Sequence, residues 1–371
     1  MTSLQPLLKK NIEDIHPYEP GKPIKEVQRE LKLTSVVKLA SNENPLGVSP
    51  LAMKAMKRVL KDCFLYPEGG CHDVLHALSQ ELKLPPEHII FGNGSNEIIE
   101  LVGRGFLSEG DEVISSASSF LVYPILTQAA GGKYISVPMT PDYRYDLKAL
   151  AEAVTAKTKI IFIANPNNPT GTYVRRRDVE RFLKRVPKRV LVCFDEAYFD
   201  FVDAKDFPDI LSLVRERVSN ILLFRTFSKA YGLAGLRIGY ACASPEIIGY
   251  LHKIRQPFNV NMVAQAAAQA AIADKAFRKK TREVTFLGRR FLSDTFDKLG
   301  LEHLPSQANF ILVNVGRNGR EVCKAFLKKG IIVRAMDAYG FDNWIRVTIG
   351  LPKQNRLFLK RLVKILALRK D

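Results

Sequence analysis

From His88 onward the chain repeats one rhythm: a short uninterrupted apolar run, a polar turn, then a segment with apolar positions three and four apart. Ile89-Ile-Phe91, Glu112 to Ser115, Tyr134 to Val137, Lys159 to Ala164, Val190 to Phe194 and Ile221 to Phe224 read as strands, and a further apolar run covers Ile238 to Ala243. Asn96 to Phe106, Tyr123 to Ala130, Leu147 to Val154 and Arg177 to Val186 read as helices. Continuous apolar strands are buried on both faces. Alternating with helices, they predict a mostly parallel sheet covered on both sides, an α/β architecture.

The rhythm changes at both ends. Residues 1 to 44 read as an arm, with Pro17 and Pro23 interrupting any long helix, and end in the polar turn Ser41-Asn-Glu-Asn-Pro-Leu-Gly47. Pro50 to about Lys61 is helically spaced, and Phe64 to Gly70 is a loop carrying Tyr66. Val263 to Ala273 and the charged Asp274 to Leu299 read as helices, the second leading out of the main unit. A strand (Asn309 to Val313), a helix (Arg320 to Lys329), two strands (Ile331 to Arg334 and Trp344 to Ile349) and a closing helix (Gln354 to Leu368) follow. The expected division is an arm at 1–44 belonging to a small domain, a large α/β domain at 45–272, and a small α+β domain at 273–371.

Composition changes this picture little, since 46% hydrophobic and 25% charged residues in 371 suit an ordinary globular chain. The formal charge of +18 stands out and fits anionic partners. The clusters Arg175-Arg-Arg177, Arg278-Lys-Lys280 and Lys360 to Lys370 lack interleaved aromatics, so they read as solvated helix faces and no nucleic acid is expected. Five scattered cysteines without a CxxC pair point to a reducing, cytoplasmic setting. No signal-peptide core or membrane-length apolar run occurs, so no membrane is expected. His72 and His76 sit four apart without a metal-site frame and read as surface helix residues, so no metal is expected.

In open α/β sheets, ligands sit beyond the carboxyl ends of the strands. Beyond Phe224 come Thr226, Ser228 and Lys229, then a Gly-rich turn and Arg237. A lysine among apolar neighbours favours its neutral amine, the form that attacks a carbonyl. Two hydroxyls and an arginine nearby suit a phosphate monoester. An aldehyde and a phosphate on one small molecule describe pyridoxal phosphate; a solvated turn is the plainer reading of this stretch taken alone. Beyond Phe194 comes Asp195, which suits a pyridinium N–H or a helix cap, and Tyr198, which can donate to a ring phenolate. Beyond Ala164, the turn Asn165-Pro-Asn-Asn168-Pro-Thr-Gly171 presents the Asn168 amide. Gly92-Asn-Gly94-Ser-Asn-Glu97 opens a helix and reads either as an anion site or as a plain cap. Phe120 reads as a core aromatic or as a platform for a flat ring.

These motifs together resemble the fold-type-I pyridoxal-phosphate enzymes of the aspartate aminotransferase superfamily, and within it the sequence is similar to the histidinol-phosphate aminotransferases. The resemblance spans essentially the whole chain and rests on Ser41-Asn-Glu-Asn-Pro, Tyr66-Pro, Gly-Asn-Gly-Ser95, Pro-Asn-Asn168-Pro-Thr-Gly, Asp195-Glu-Ala-Tyr198, Thr226-Phe-Ser-Lys229 through Arg237, and Trp-Ile-Arg346-Val-Thr-Ile-Gly. It implies a seven-stranded, mostly parallel sheet in a large cofactor domain with a smaller α+β domain. It also implies that Lys229 condenses with the cofactor aldehyde, Asp195 pairs with the ring nitrogen, and Asn168 and Tyr198 hold the phenolate oxygen. Phe120 would stack on the ring where many relatives have Tyr, losing a hydroxyl contact. Ser95, Asn96, Thr226, Ser228 and Arg237 would hold the phosphate, with Tyr66 reaching the cofactor of a neighbouring subunit in a homodimer. Asn96 stands where Asp or Asn is usual. Arg346 would take the substrate's α-carboxylate or the group in its place, and Arg334 and Tyr18 a phosphate at its far end.

The activity so implied is transamination between L-glutamate/2-oxoglutarate and imidazole-acetol phosphate/L-histidinol phosphate, a step of histidine biosynthesis acting on small anionic substrates. Aromatic amino acid aminotransferases and threonine-phosphate decarboxylases share nearly all the motifs. DNA-binding regulators of the same fold usually carry an added helix-turn-helix domain, for which this chain has no spare length.

Overall fold

The computed structural model describes residues 7–18 and 21–368, so the outermost residues of the expected arm and of the basic tail lie outside the described residues. After the short β1 (Val37–Lys38), seven strands form the large sheet: β2 (Ile89–Gly92), β3 (Glu112–Ser116), β4 (Lys133–Val137), β5 (Thr158–Ala164), β6 (Leu191–Asp195), β7 (Ile221–Thr226) and β8 (Gly239–Ala243). Their order is β2-β8-β7-β6-β5-β3-β4. All neighbours are parallel except β8, which runs antiparallel to both β2 and β7. The mostly parallel seven-stranded sheet expected from the resemblance is present.

The register sets which residues share an edge. Ala164 pairs with Asp195, and Asp195 with Phe224, so the turns after β5, β6 and β7 open side by side. Because β8 is reversed, its first residue lies at that edge: Gly239 pairs with both Thr226 and Gly92. Arg237, just before β8, therefore stands beside the segment that opens the helix Ser95–Phe106. Fully buried Phe162, Phe194 and Phe224 hold the central strands.

Four further strands lie beyond the long helix Lys275–Lys298: β9 (Phe310–Asn314), β10 (Ile331–Ile332), β11 (Arg334–Met336) and β12 (Phe341–Thr348). β11, β12 and β9 form an antiparallel sheet, while β10 pairs in parallel with β1. The run from Ile331 to Arg334, expected as one strand, thus divides between two sheets. Leu39 joins the cluster of Phe296, Ile311, Phe326, Val347 and Phe358, apart from the core of the large sheet. The N-terminal segment contains the helix Ile24–Leu31, which the prolines alone did not suggest. The helix His72–Leu82 carries His72 and His76 as expected, and a further helix forms at Pro245–Ile254.

Candidate active site

A cavity of about 370 Å³ lies at the shared strand edge, within the size range of small-molecule sites. Its walls bring together Tyr18, Ser95, Asn96, Phe120, Asn168, Asp195, Tyr198, Thr226, Ser228, Lys229, Arg237, Arg334 and Arg346. Tyr66 is not among them: it is 82% exposed and stacks on Phe258, ring centroids 4.8 Å apart.

Lys229 follows β7 by three residues, and its Nζ donates to the carbonyl of Ser41 at 3.1 Å. Burial lowers its ammonium to about 8, and the charges of Arg346 and Arg237 act in the same direction. Near neutral pH a useful fraction of the amine is therefore unprotonated and nucleophilic.

Asp195 ends β6 with its carboxylate buried. Tyr123 Oη donates to Oδ2 at 2.9 Å and the Ala197 N–H to Oδ1 at 3.1 Å. Burial nonetheless pushes this carboxyl above its ordinary value, although Tyr123, Ala197 and the Lys229 charge pull it down. Such a carboxylate is stabilised by a cation that carries a proton. Tyr123 was assigned only to a helix by the sequence; its ring is packed flat on Phe162 at 4.5 Å, which fixes the direction of its hydroxyl. Its spacing from Phe120 gave no sign of a partner seventy-two residues away.

The phosphate end is built from close backbone approach. Gly94, at φ +80°, caps the helix Ser95–Phe106 without a side-chain hydrogen bond to its first N–H groups. A Cβ on Gly94 would sit 2.5 Å from Arg237 Nη2, and one on Gly239 would sit 2.4 Å from the Ser95 nitrogen. Only glycine permits this packing of a guanidinium and a helix N-terminus, which together favour an anion. Thr226 Oγ1 accepts from the Ser228 N–H at 3.0 Å, which shapes the turn facing them.

Elsewhere in the cavity lining, Arg334 of β11 and Arg346 of β12 are direct cross-strand partners. Like charges in that position repel, so the pair is suited to an anion that neutralises both. Arg346 is buried, donates through Nη1 to Asn168 Oδ1 and through Nη2 to the carbonyl of Ala40 at 3.0 Å, and lies 5.1 Å over the Phe310 ring. The Arg334 guanidinium lies 5.8 Å from the centre of the Tyr18 ring. Asn42, quoted in the sequence only as part of a turn motif, also reaches the cavity and donates to Tyr198 Oη at 2.9 Å.

The family model for aminotransferase class I and II matches residues 34–362. This chain belongs to the class I and II aminotransferases. It is 48% identical to the histidinol-phosphate aminotransferase of Moorella thermoacetica over 98% of this chain and 94% of that one. It is 44% identical to that of Methylobacillus flagellatus over the full length of both. The crystal structure of histidinol-phosphate aminotransferase from Sinorhizobium meliloti in complex with pyridoxal-5'-phosphate superposes with a TM-score of 0.89, at 27% identity and covering 97% of each chain.

The cavity of this aminotransferase fits pyridoxal phosphate on its own chemistry. A depressed lysine suits an aldehyde, the buried Asp195 a protonated ring nitrogen, and the Gly94 and Gly239 cradle under Arg237 a phosphate. Among the described residues no helix is long and apolar enough to cross a membrane.

Proposed function

We propose that this aminotransferase exchanges an amino group between L-glutamate/2-oxoglutarate and imidazole-acetol phosphate/L-histidinol phosphate, as a cytoplasmic homodimer in histidine biosynthesis. The observation that carries the substrate assignment is the cross-strand pair Arg334 and Arg346, both lining the same cavity as the phosphate cradle. Two arginines on paired strands, both lining the cavity, can neutralise either the dianion of a phosphate monoester or the two carboxylates of glutamate in turn. The identity of 41–48% with proteins named histidinol-phosphate aminotransferase supports the same reading.

Pyridoxal phosphate, when bound, supplies an aldehyde carbon for condensation and a protonated ring that accepts an electron pair. Lys229 would hold it covalently between substrates, Asp195 would face the ring nitrogen, and Asn168 with Tyr198 the phenolate oxygen. Phe120 would cover one face of the ring. Ser95, Asn96, Thr226, Ser228 and Arg237 would hold the phosphate, joined by Tyr66 of the neighbouring subunit. Arg346 binds and orients the substrate carboxylate, while Arg334 and Tyr18 take the distal anion. With the cofactor bound, Lys229 Nζ, whose burial favours the neutral amine, would take up the proton lost from the substrate Cα and pass it on. Asn168 ties the substrate wall to the cofactor wall by accepting from Arg346. In this reading residues 45–272 carry the cofactor, and residues 1–44 with 273–371 form the smaller unit that bears the substrate arginines.

The deciding experiment compares kcat/KM for histidinol phosphate, phenylalanine and threonine phosphate with the cofactor-loaded enzyme. Histidinol phosphate should be preferred, and Arg334→Gln should lower its kcat/KM by about 10- to 100-fold, the worth of a hydrogen bond to a charged group. A preference for phenylalanine, or CO2 release from threonine phosphate, would overturn the assignment.

A further inference from the structure

Asn42 sits in the turn that closes the N-terminal segment, 1% exposed and at φ +56°. Asparagine tolerates this left-handed conformation, so its presence there has a purely local explanation. Its hydrogen bonds go further. The Asn42 N–H donates to Thr348 Oγ1 at 3.0 Å, and the Thr348 hydroxyl donates to Asn42 Oδ1 at 3.1 Å. Asn42 Nδ2 then donates to Tyr198 Oη at 2.9 Å.

Counting donors and acceptors gives this chain a direction. A threonine hydroxyl has one proton, and Thr348 Oγ1 already accepts from a backbone N–H. Its proton reaches Asn42 Oδ1, so Asn42 Nδ2 is the end that faces Tyr198. With the amide reversed, Thr348 Oγ1 would receive two donors, and its own proton would find no other acceptor among the described residues. Tyr198 would then donate backwards into Asn42. In this sense Tyr198 Oη accepts the Asn42 amide hydrogen bond, which leaves its own O–H to be donated toward the cavity that Tyr198 lines with Asn168 and Lys229. The anchor is firm: the Asn42 carbonyl accepts from Asn309 Nδ2 at 3.0 Å, and the Ile349 N–H donates to the Asn309 carbonyl at 2.9 Å. Thr348 and Asn309 are both buried.

We propose that Asn42 is a positioning residue that acts through Tyr198, aiming its hydroxyl proton at the phenolate oxygen of the cofactor, with Thr348 of β12 setting the sense of the Asn42 amide. This rests on the cofactor reading above. Burial pushes the Tyr198 phenol up to about 12, so it remains a donor at neutral pH. The charged groups facing it are Asp195 and Arg346, with Lys229 Nζ 5.7 Å from the centre of its ring. The arrangement couples the substrate-side strand β12 to the electron distribution of the ring, because the same β12 carries Arg346 two residues before Thr348.

The test is an absorbance titration of the cofactor-bound enzyme, following the pH at which its chromophore loses a proton. A proton donated to the phenolate oxygen withdraws charge from it and lowers that pH. Asn42→Asp keeps the size and the turn preference but presents only acceptors, so Tyr198 turns back. The transition should rise by about one pH unit, the worth of a hydrogen bond to a charged oxygen. In a Tyr198→Phe background the same substitution should add much less, because the route through the hydroxyl is gone. Thr348→Val should shift the transition in the same direction and Thr348→Ser should not; this pair decides the matter if Asn42→Asp does not fold. An Asn42→Asp transition at the parental pH, an equal shift with and without the Tyr198 hydroxyl, or identical Thr348→Val and Thr348→Ser curves would overturn the inference alone. A parent enzyme that forms no chromophore with added cofactor would overturn the cofactor reading and this inference with it.

Discussion

Tyr123 and Asp195 meet in the core beside the seven-stranded sheet, the phenol donating to the carboxylate at 2.9 Å from a ring packed flat on Phe162. The contact holds the carboxylate toward the cavity while burial works against its ionisation. Tyr123→Phe should cost about 1.5–3 kcal/mol of stability at neutral pH. The sign of the pH dependence follows from the raised Asp195 carboxyl: below its titration the group is protonated and makes less use of the phenol. The difference between variant and parent should therefore shrink as pH falls through that titration. Denaturant unfolding of the apo-protein at several pH values measures it, and a deficit that grows toward acid would refute the account.

Lys229 should capture the cofactor faster as pH rises, because only the neutral amine attacks the aldehyde. With its ammonium lowered to about 8, the rate of chromophore formation from apo-protein should be half-maximal near that pH and level off above it. For stability the sign is that of a depressed group. The apo-protein gains stability as pH rises from the folded value toward the ordinary 10.5, where the unfolded chain still binds the proton. Lys229→Ala should abolish borohydride fixation and lower transamination by about 10²–10⁴-fold or more. Label arriving at another lysine would end the assignment.

Next to the site, Glu196 and Arg225 form a buried pair at 2.7 Å, with both Nε and Nη2 donating to one carboxylate oxygen and the guanidinium 3.7 Å over the Phe199 ring. It ties the ends of β6 and β7, the strands that carry Asp195 and lead to Lys229. Glu196→Gln leaves Arg225 buried without its counter-charge and should destabilise the protein by about 3–5 kcal/mol, whereas replacing both by apolar residues should recover much of the loss. Chemical denaturation of the two variants distinguishes these outcomes.

Tyr66 lies outside the cavity of its own chain and is exposed beside Phe64 and Leu65. If it completes the site of a second copy, Tyr66→Ala and Lys229→Ala subunits mixed in equal amounts should regain activity. Random reassortment puts one intact site in half the dimers, giving about a quarter of the parental rate. Absence of any recovery in verified mixed dimers would place Tyr66 outside the site.

Much of the cavity was legible in the chain. Asp195, Asn168, Thr226, Ser228 and Lys229 each follow a continuous apolar run, and the edge of an open sheet gathers whatever follows its parallel strands. Arg237 was legible by its composition but not by its place, which depends on β8 being reversed so that its start lies against Thr226 and Gly92. The run from Ile331 to Arg334 looked like one strand because periodicity is blind to which partner each residue pairs with; Ile331 and Ile332 face β1 and Arg334 faces β12.

By itself, then, the order of residues determined the alternation of strands and helices, the lysine placed with its hydroxyls after a buried strand, and the cofactor chemistry they suit, because these depend on neighbours along the chain. Only the tertiary structure decided that Tyr123 serves Asp195, that Arg334 stands opposite Arg346, and that Asn42 lies between Thr348 and Tyr198. Those residues are brought together by strand order and register across a hundred or more positions in the widest case, Asn42 with Thr348 at a separation of 306. Register is a property of the packed sheets, since each pairing is selected by burial and hydrogen bonding over a whole face and leaves no mark at any single position.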